Sequence, residues 1–161
     1  MSRRSAGILM YRYRDGEPEV LLVHPGGPFW AHRDEGAWSV PKGLYEEGET
    51  PLEAARREFE EETGFPVAGE FVDLGELKLP SGKRLRVWAV EGDLDAERIR
   101  SNTFEMEWPR GSGRLIEVPE VDRGAWFDPE EARRRIAPGQ LPFLERLLEI
   151  LRRRGRDDGN G

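Results

Sequence analysis

Between Gly43 and Phe65 stand eight acids, Glu46, Glu47, Glu49, Glu53, Glu58, Glu60, Glu61 and Glu62, against only Arg56 and Arg57. That segment carries about −6 of the chain's formal net charge of −7. Glu58, Glu61 and Glu62 are spaced i, i+3 and i+4, so on a helix their carboxylates converge on one face. Like charges this close destabilise an isolated helix, and a hard divalent cation relieves the repulsion. Oxygen ligands select Mg²⁺ or Mn²⁺ over softer metals. The chain has no cysteine and two histidines, so any metal must be held by oxygen or by His24 and His32. Arg57, four residues before Glu61, is placed to restrain one of the carboxylates.

The element that must carry these glutamates has clear ends. Thr50 is a good N-cap, Pro51 suits the first helical position, and Glu53 completes a Thr-x-x-Glu capping box. Leu52, Ala55, Phe59 and Thr63 recur at helical spacing as a buried stripe, and Gly64 stops the helix. Upstream, Ser5 to Tyr13 and Glu19 to Val23 read as strands around a turn at Asp15-Gly16-Glu17-Pro18. His24 to Gly36 reads as a loop, and Trp38 to Val40 as a short strand. Downstream, Phe71 to Leu79 and Leu85 to Val90 form a hairpin pair around Pro80-Ser81-Gly82-Lys83, with weaker strands at Ser101 to Glu107 and Gly124 to Phe127. Helices are expected over Pro129 to Ile136 and Leu141 to Arg153. Strands interleaved with helices predict an α/β protein with a mixed sheet covered on both faces. Residues 1–154 read as one domain and 155–161 as a disordered tail.

Gly43, Glu49, Arg57, Glu58, Phe59, Glu61, Glu62, Gly64 and Phe65 fit G-x5-E-x7-R-E-U-x-E-E-x-G-U, where U is bulky and apolar. This resembles the Nudix box at every position. Seven fixed positions at roughly 6–7% usage each make a chance match on the order of 10⁻⁸ per start, which sets aside an accidental acidic surface. The resemblance implies a Nudix α/β/α sandwich with a mixed β-sheet. It implies hydrolysis of a phosphoanhydride bond in a nucleoside diphosphate-linked compound, with Glu58, Glu61 and Glu62 as metal ligands and the Gly43 carbonyl as a backbone ligand. Glu49 and Arg57 are then expected to hold the loop against the helix. Family members often add a glutamate six residues before a Trp that starts a strand, and Glu120 stands six before Trp126. Glu120 is therefore the expected additional ligand or base, on a mobile loop, with Glu117, Glu105 and Glu107 as alternatives.

The residues before the box bear on substrate. Pro41-Lys42-Gly43 is similar to the box entrance of diadenosine tetraphosphate and diphosphoinositol hydrolases. Lys42 and Arg33 are phosphate candidates, and Trp30 is placed to stack on a base. Trp38 reads better as core, and His24 and His32 as either loop hydrogen-bonders or phosphate contacts. A dinucleoside polyphosphate or nucleoside triphosphate is the expected substrate. The alternative is ADP-ribose or a nucleotide sugar, since Pro80 lies near where a proline marks some ADP-ribose relatives. A non-catalytic nucleotide-sensing module is disfavoured because every box glutamate is present.

Composition excludes other classes. The net acidity argues against duplex nucleic acid as a partner, which needs clustered Lys and Arg. No run approaches 18 apolar residues, and Ile8-Leu9-Met10 is too short for a signal-peptide core. With no cysteine, the sequence fits a cytoplasmic protein.

Overall fold

A computed structural model of the chain describes residues 3–159. Strands β1 (Arg4–Arg14) and β2 (Glu17–Pro25) pair antiparallel across a two-residue turn in which Asp15 and Gly16 have φ of 52° and 81°. Positive φ at both central residues matches the right-handed twist of the flanking strands. The turn is tighter than expected from sequence, because Glu17 and Pro18 already pair with Arg14 and Tyr13.

Trp38 to Val40, expected as a strand, makes only isolated bridges at Trp38 and Ser39. The strand is β3 (Lys42–Leu44), antiparallel to β1. It leads to α1 (Pro51–Thr63), the glutamate helix. Both capping-box bonds form, and Gly64 adopts the left-handed conformation at φ 81°. Its buried stripe comprises Ala54, Ala55, Glu58, Phe59 and Thr63. The sequence reading included Leu52, which is only half-buried, and did not anticipate Ala54 or the acid Glu58.

Strands β4 (Val72–Lys78) and β5 (Arg84–Glu91) form the expected hairpin, and β5 runs parallel to β1. After Ser101 come β6 (Thr103–Glu107), β7 (Leu115–Pro119) and β8 (Val121–Phe127). The main sheet has the order β4-β5-β1-β2-β8, while β6 and β7 form a separate two-stranded arm. Helices α2 (Pro129–Arg135) and α3 (Leu141–Gly159) finish the chain. The sequence reading stopped α3 at Arg153. It runs on to Gly159, and Asn160 and Gly161 lie outside the described residues.

The sheet is buried on both faces, and period-2 alternation along β1 assigns its residues. Ile8 and Met10 join Ala54, Ala55 and Phe59 of α1 in one core. Leu9 and Tyr11 join Ala132 of α2 with Phe143, Leu144 and Leu147 of α3 in the other. Each fully buried large side chain contributes about 1.5–3 kcal/mol. The result is the expected α/β/α sandwich with a mixed sheet, and it fixes α1 rigidly on one face.

Candidate active site

Arg57 is the organising cation. Its Nε and Nη2 donate to the two Glu49 oxygens at 2.8 and 3.0 Å, and Nη2 also donates to the Leu44 carbonyl at 3.0 Å. Nη1 donates to Glu58 at 2.7 Å and Glu61 at 3.0 Å. A planar guanidinium forks in this way where an ammonium cannot. Its Glu49 bonds, followed by those to Glu58 and Glu61, raise the Arg57 pKa, and Glu49 is lowered in return. Glu49 and Arg57 thus tie the loop after β3 to α1, as the box resemblance implied.

Glycine at position 43 has a geometric cause. A Cβ there would lie 2.0 Å from the Glu58 carboxylate, which packs directly over the Gly43 backbone. Glu58 is buried, and burial raises its pKa against the opposing pull of Arg57, with the Glu61 and Glu120 charges adding. One turn on, Glu62 accepts the Lys42 N–H at 3.1 Å. Burial pushes Glu62 up to about 8; Lys42 opposes this and the Glu58 and Glu120 charges reinforce it. The Lys42 ammonium is lowered by the same burial, against Glu62. Among the described residues it has no hydrogen-bond or ion-pair partner.

Glu58, Glu62 and Glu120 each offer a carboxylate oxygen, and the three oxygens lie within 4.8 Å of one another. Glu120, 58 residues beyond Glu62, therefore meets the helix acids, while Glu105, Glu107 and Glu117 do not join the group. Glu61 also stands outside it, its carboxylate turned to Arg57. Glu58 is buried, Glu62 half-buried and Glu120 exposed, and Arg57 engages only Glu58 of the three, so three carboxylates this close suit a hard divalent ion.

The expectation that Glu120 rides on a mobile loop is corrected. It is the single residue joining β7 to β8. Its N–H donates to the Asn102 carbonyl at 2.9 Å, and its carbonyl accepts from Gly26 at 3.1 Å. Asn102 N–H in turn donates to the Glu61 carbonyl at 2.9 Å, stitching the foot of the arm to the last turn of α1. The Ser101 hydroxyl closes the stitch through the Val121 N–H and carbonyl. Burial raises the Glu120 pKa, with the Glu61 charge adding.

Lys42, Glu62 and Glu120 form one wall of a cavity of about 610 Å³, with Trp30, Leu79 and Pro80 among its apolar lining. Arg33 stands 4.2 Å over the Phe29 ring and 5.7 Å from the Trp30 ring. The sequence reading missed what fixes this loop. His24 is wholly buried; its Nε2–H donates to the Arg33 carbonyl at 2.6 Å, and Nδ1 meets Asp122 at 3.0 Å. Trp38 is core, as expected, its Nε1–H donating to Asp34 at 2.8 Å. Gln140 was also missed. Buried beside the cavity, it accepts the Val40 N–H at 3.0 Å and donates to Ser39 at 2.9 Å, holding the approach to the box. Neither Asn102 nor Gln140 carries a sequence signal, since their partners lie far away in the chain.

Comparison with known proteins agrees with this geometry. The NUDIX domain profile matches residues 1–147. An RNA pyrophosphohydrolase of Erythrobacter litoralis is 33% identical over 94% of this chain and 98% of its own length. Another RNA pyrophosphohydrolase, from Rhodospirillum rubrum, is 31% identical over 86% of this chain and 87% of its own. In fold, the chain is similar to a C. elegans Ap4A hydrolase solved as a binary complex, with a TM-score of 0.65 at 20% identity, covering 91% of this chain and 97% of that one.

Proposed function

This chain belongs to the Nudix hydrolase family, and on that premise we propose a Mg²⁺-dependent pyrophosphohydrolase of nucleoside polyphosphates, with dinucleoside polyphosphates and 5′-triphosphates as leading substrates. The hydrolysis of phosphoanhydride bonds follows from the family; substrate and metal are our reading. The observation that carries it is the group Glu58, Glu62 and Glu120, within 4.8 Å, of which Glu62 and Glu120 line a cavity with Lys42, whose ammonium has no ion-pair partner among the described residues.

Glu58 and Glu62 would hold the divalent ion, with Glu61 and the Gly43 carbonyl completing the set and Glu120 beside them as an additional ligand or base. Such an ion, when bound, polarises phosphoryl oxygens and lowers the pKa of water. Water attacks phosphorus, a P–O bond forms, the bridging P–O bond breaks, and the water proton passes to a carboxylate. Glu120 suits that base, because it is exposed at the cleft edge and its raised pKa improves proton acceptance near neutral pH. Arg57 holds Glu58 and Glu61 in place. Lys42 offsets charge on phosphates beyond the attacked one, Arg33 offers a further guanidinium, and Trp30 a face for a base. With no cysteine to require an oxidising compartment, we place the reaction in the cytoplasm.

A second reading has one observation behind it. Pro80 belongs to the β4–β5 turn and also lines the cavity, which keeps ADP-ribose in view. The test is a panel of diadenosine tetraphosphate, nucleoside triphosphate, 5′-triphosphorylated RNA and ADP-ribose with Mg²⁺, read by product identity. Polyphosphate cleavage that stops on chelation is expected. Turnover of ADP-ribose alone would replace the reading.

A further inference from the structure

The β6–β7 arm has two unlike faces. Cross-strand pairs Phe104/Val118 and Met106/Ile116 lie on one side, and Trp108 with Arg114 extends it, since Trp108 N–H donates to the Arg114 carbonyl at 2.9 Å. The opposite side carries Glu105, Glu107 and Glu117, together with the exposed Leu115. The apolar face is covered only near its foot, where Val118 and Met106 approach Gly27. Phe104 and Trp108 remain 42% and 41% exposed, and Phe29, two residues beyond Gly27, is 55% exposed. Exposed rings of this size on one surface mark a binding region more often than chance. Arg33 lies over the Phe29 ring, Arg114 stands across from Trp108 and Arg110 belongs to the turn joining β6 to β7; among the described residues none has a carboxylate partner.

This surface runs into the cleft, because β7 leads directly into Glu120 and Gly26 is bonded to the Glu120 carbonyl. Six residue steps along β7 separate Arg114 from Glu120, so the arm reaches roughly 20 Å from the Glu120 backbone. A ligand using both ends must be long. Flat rings interleaved with unpaired guanidiniums, and acids confined to the far side, are what single-stranded nucleic acid requires: bases stack and arginines meet the backbone. We propose that the arm is a binding platform for single-stranded RNA whose 5′-polyphosphate lies in the cleft. This deepens the pyrophosphohydrolase reading and rests on it. It is compatible with net acidity, since the three arginines are local and no duplex groove is entered.

The test compares wild type, Trp108→Ala and Trp108→Phe on ATP and on a 5′-triphosphorylated RNA of about eight nucleotides. Binding of the same oligomer with a 5′-hydroxyl is measured by fluorescence anisotropy. Trp108→Ala should weaken oligomer binding about tenfold and lower kcat/KM for the RNA by a similar factor, with ATP turnover unchanged and Trp108→Phe close to wild type. Replacing Arg110 and Arg114 together by alanine should lower the slope of log affinity against log salt by about 1.4. Unchanged oligomer binding in Trp108→Ala overturns the platform. So does sedimentation showing that this variant breaks a dimer at equal RNA affinity, which would make the arm a protein interface. Oligomer binding through Trp108 in a protein that cleaves no polyphosphate would instead sink the reading of the cleft and leave the platform standing.

Discussion

Replacing Glu62 by glutamine should stabilise the metal-free protein, and only at higher pH. The Glu62 carboxyl, ordinarily near 4.5, is pushed up to about 8 by burial. Because its folded value is raised, the native state holds the proton more tightly than the unfolded chain. The group's favourable contribution is complete below the unfolded value and is lost as pH climbs through about 8. In a fully dry site that span corresponds to roughly 4–5 kcal/mol. The cleft is open to water and the Lys42 ammonium stands nearby, so about 2–3 kcal/mol is the expected penalty in this protein. Glutamine preserves the shape and can still accept the Lys42 N–H. With chelator present, wild type and Glu62→Gln should melt together near pH 5, and the variant should melt about 5–10 °C higher near pH 9. Mg²⁺ at a thousand times its Kd should reverse the order, since it adds about 4.1 kcal/mol to the protein that binds it. A melting difference independent of pH, or a variant weaker than wild type near pH 9 without metal, would refute the reasoning.

Gly43→Ala places a methyl on the Glu58 carboxylate, so we expect a loss of about 1–3 kcal/mol in urea unfolding together with severe loss of turnover; retention of both would show that Glu58 moves freely. Glu120→Gln should lower kcat by at least a hundredfold while metal affinity, measured by calorimetry, changes far less; equal losses would make it a ligand rather than a base. Lys42→Ala should raise KM for tetraphosphate substrates more than for diphosphate-linked ones, and an equal rise across chain lengths removes Lys42 from selection.

The bounds of the glutamate helix were legible in sequence, because its cap, its stop and its i, i+4 spacing are local signals, whereas the burial of Ala54 and Glu58 was not. Glu120 could be placed only by resemblance, since nothing within ten residues of it says that it faces Glu58 and Glu62. Strand β7 escaped notice: Leu115 to Pro119 is short, ends in proline and is largely exposed, so its pairing with β6 depends on a register that alternation alone does not fix. The shift of the expected strand from Trp38–Val40 to Lys42–Leu44 has a similar origin. Trp38 and Val40 are apolar because they sit in the core under α2 and α3, whereas Lys42 and Gly43 pair with β1 despite poor strand propensity. His24, expected in a loop as a hydrogen-bonder or a phosphate contact, is instead a buried residue of β2, and its role as the pin of the Arg33 segment required the fold.

The stitch at Asn102 has a consequence for how the protein breathes. Its N–H is spent on the last turn of α1 and its carbonyl on the Glu120 amide, so two hydrogen bonds stand in series between the halves of the site. Neither half can open alone without breaking one of them. In hydrogen-exchange terms the amides of Asn102 and Glu120 belong to one cooperative unit, and their opening energies should coincide. A site built this way passes between assembled and dismantled rather than drifting through intermediate spacings of its carboxylates.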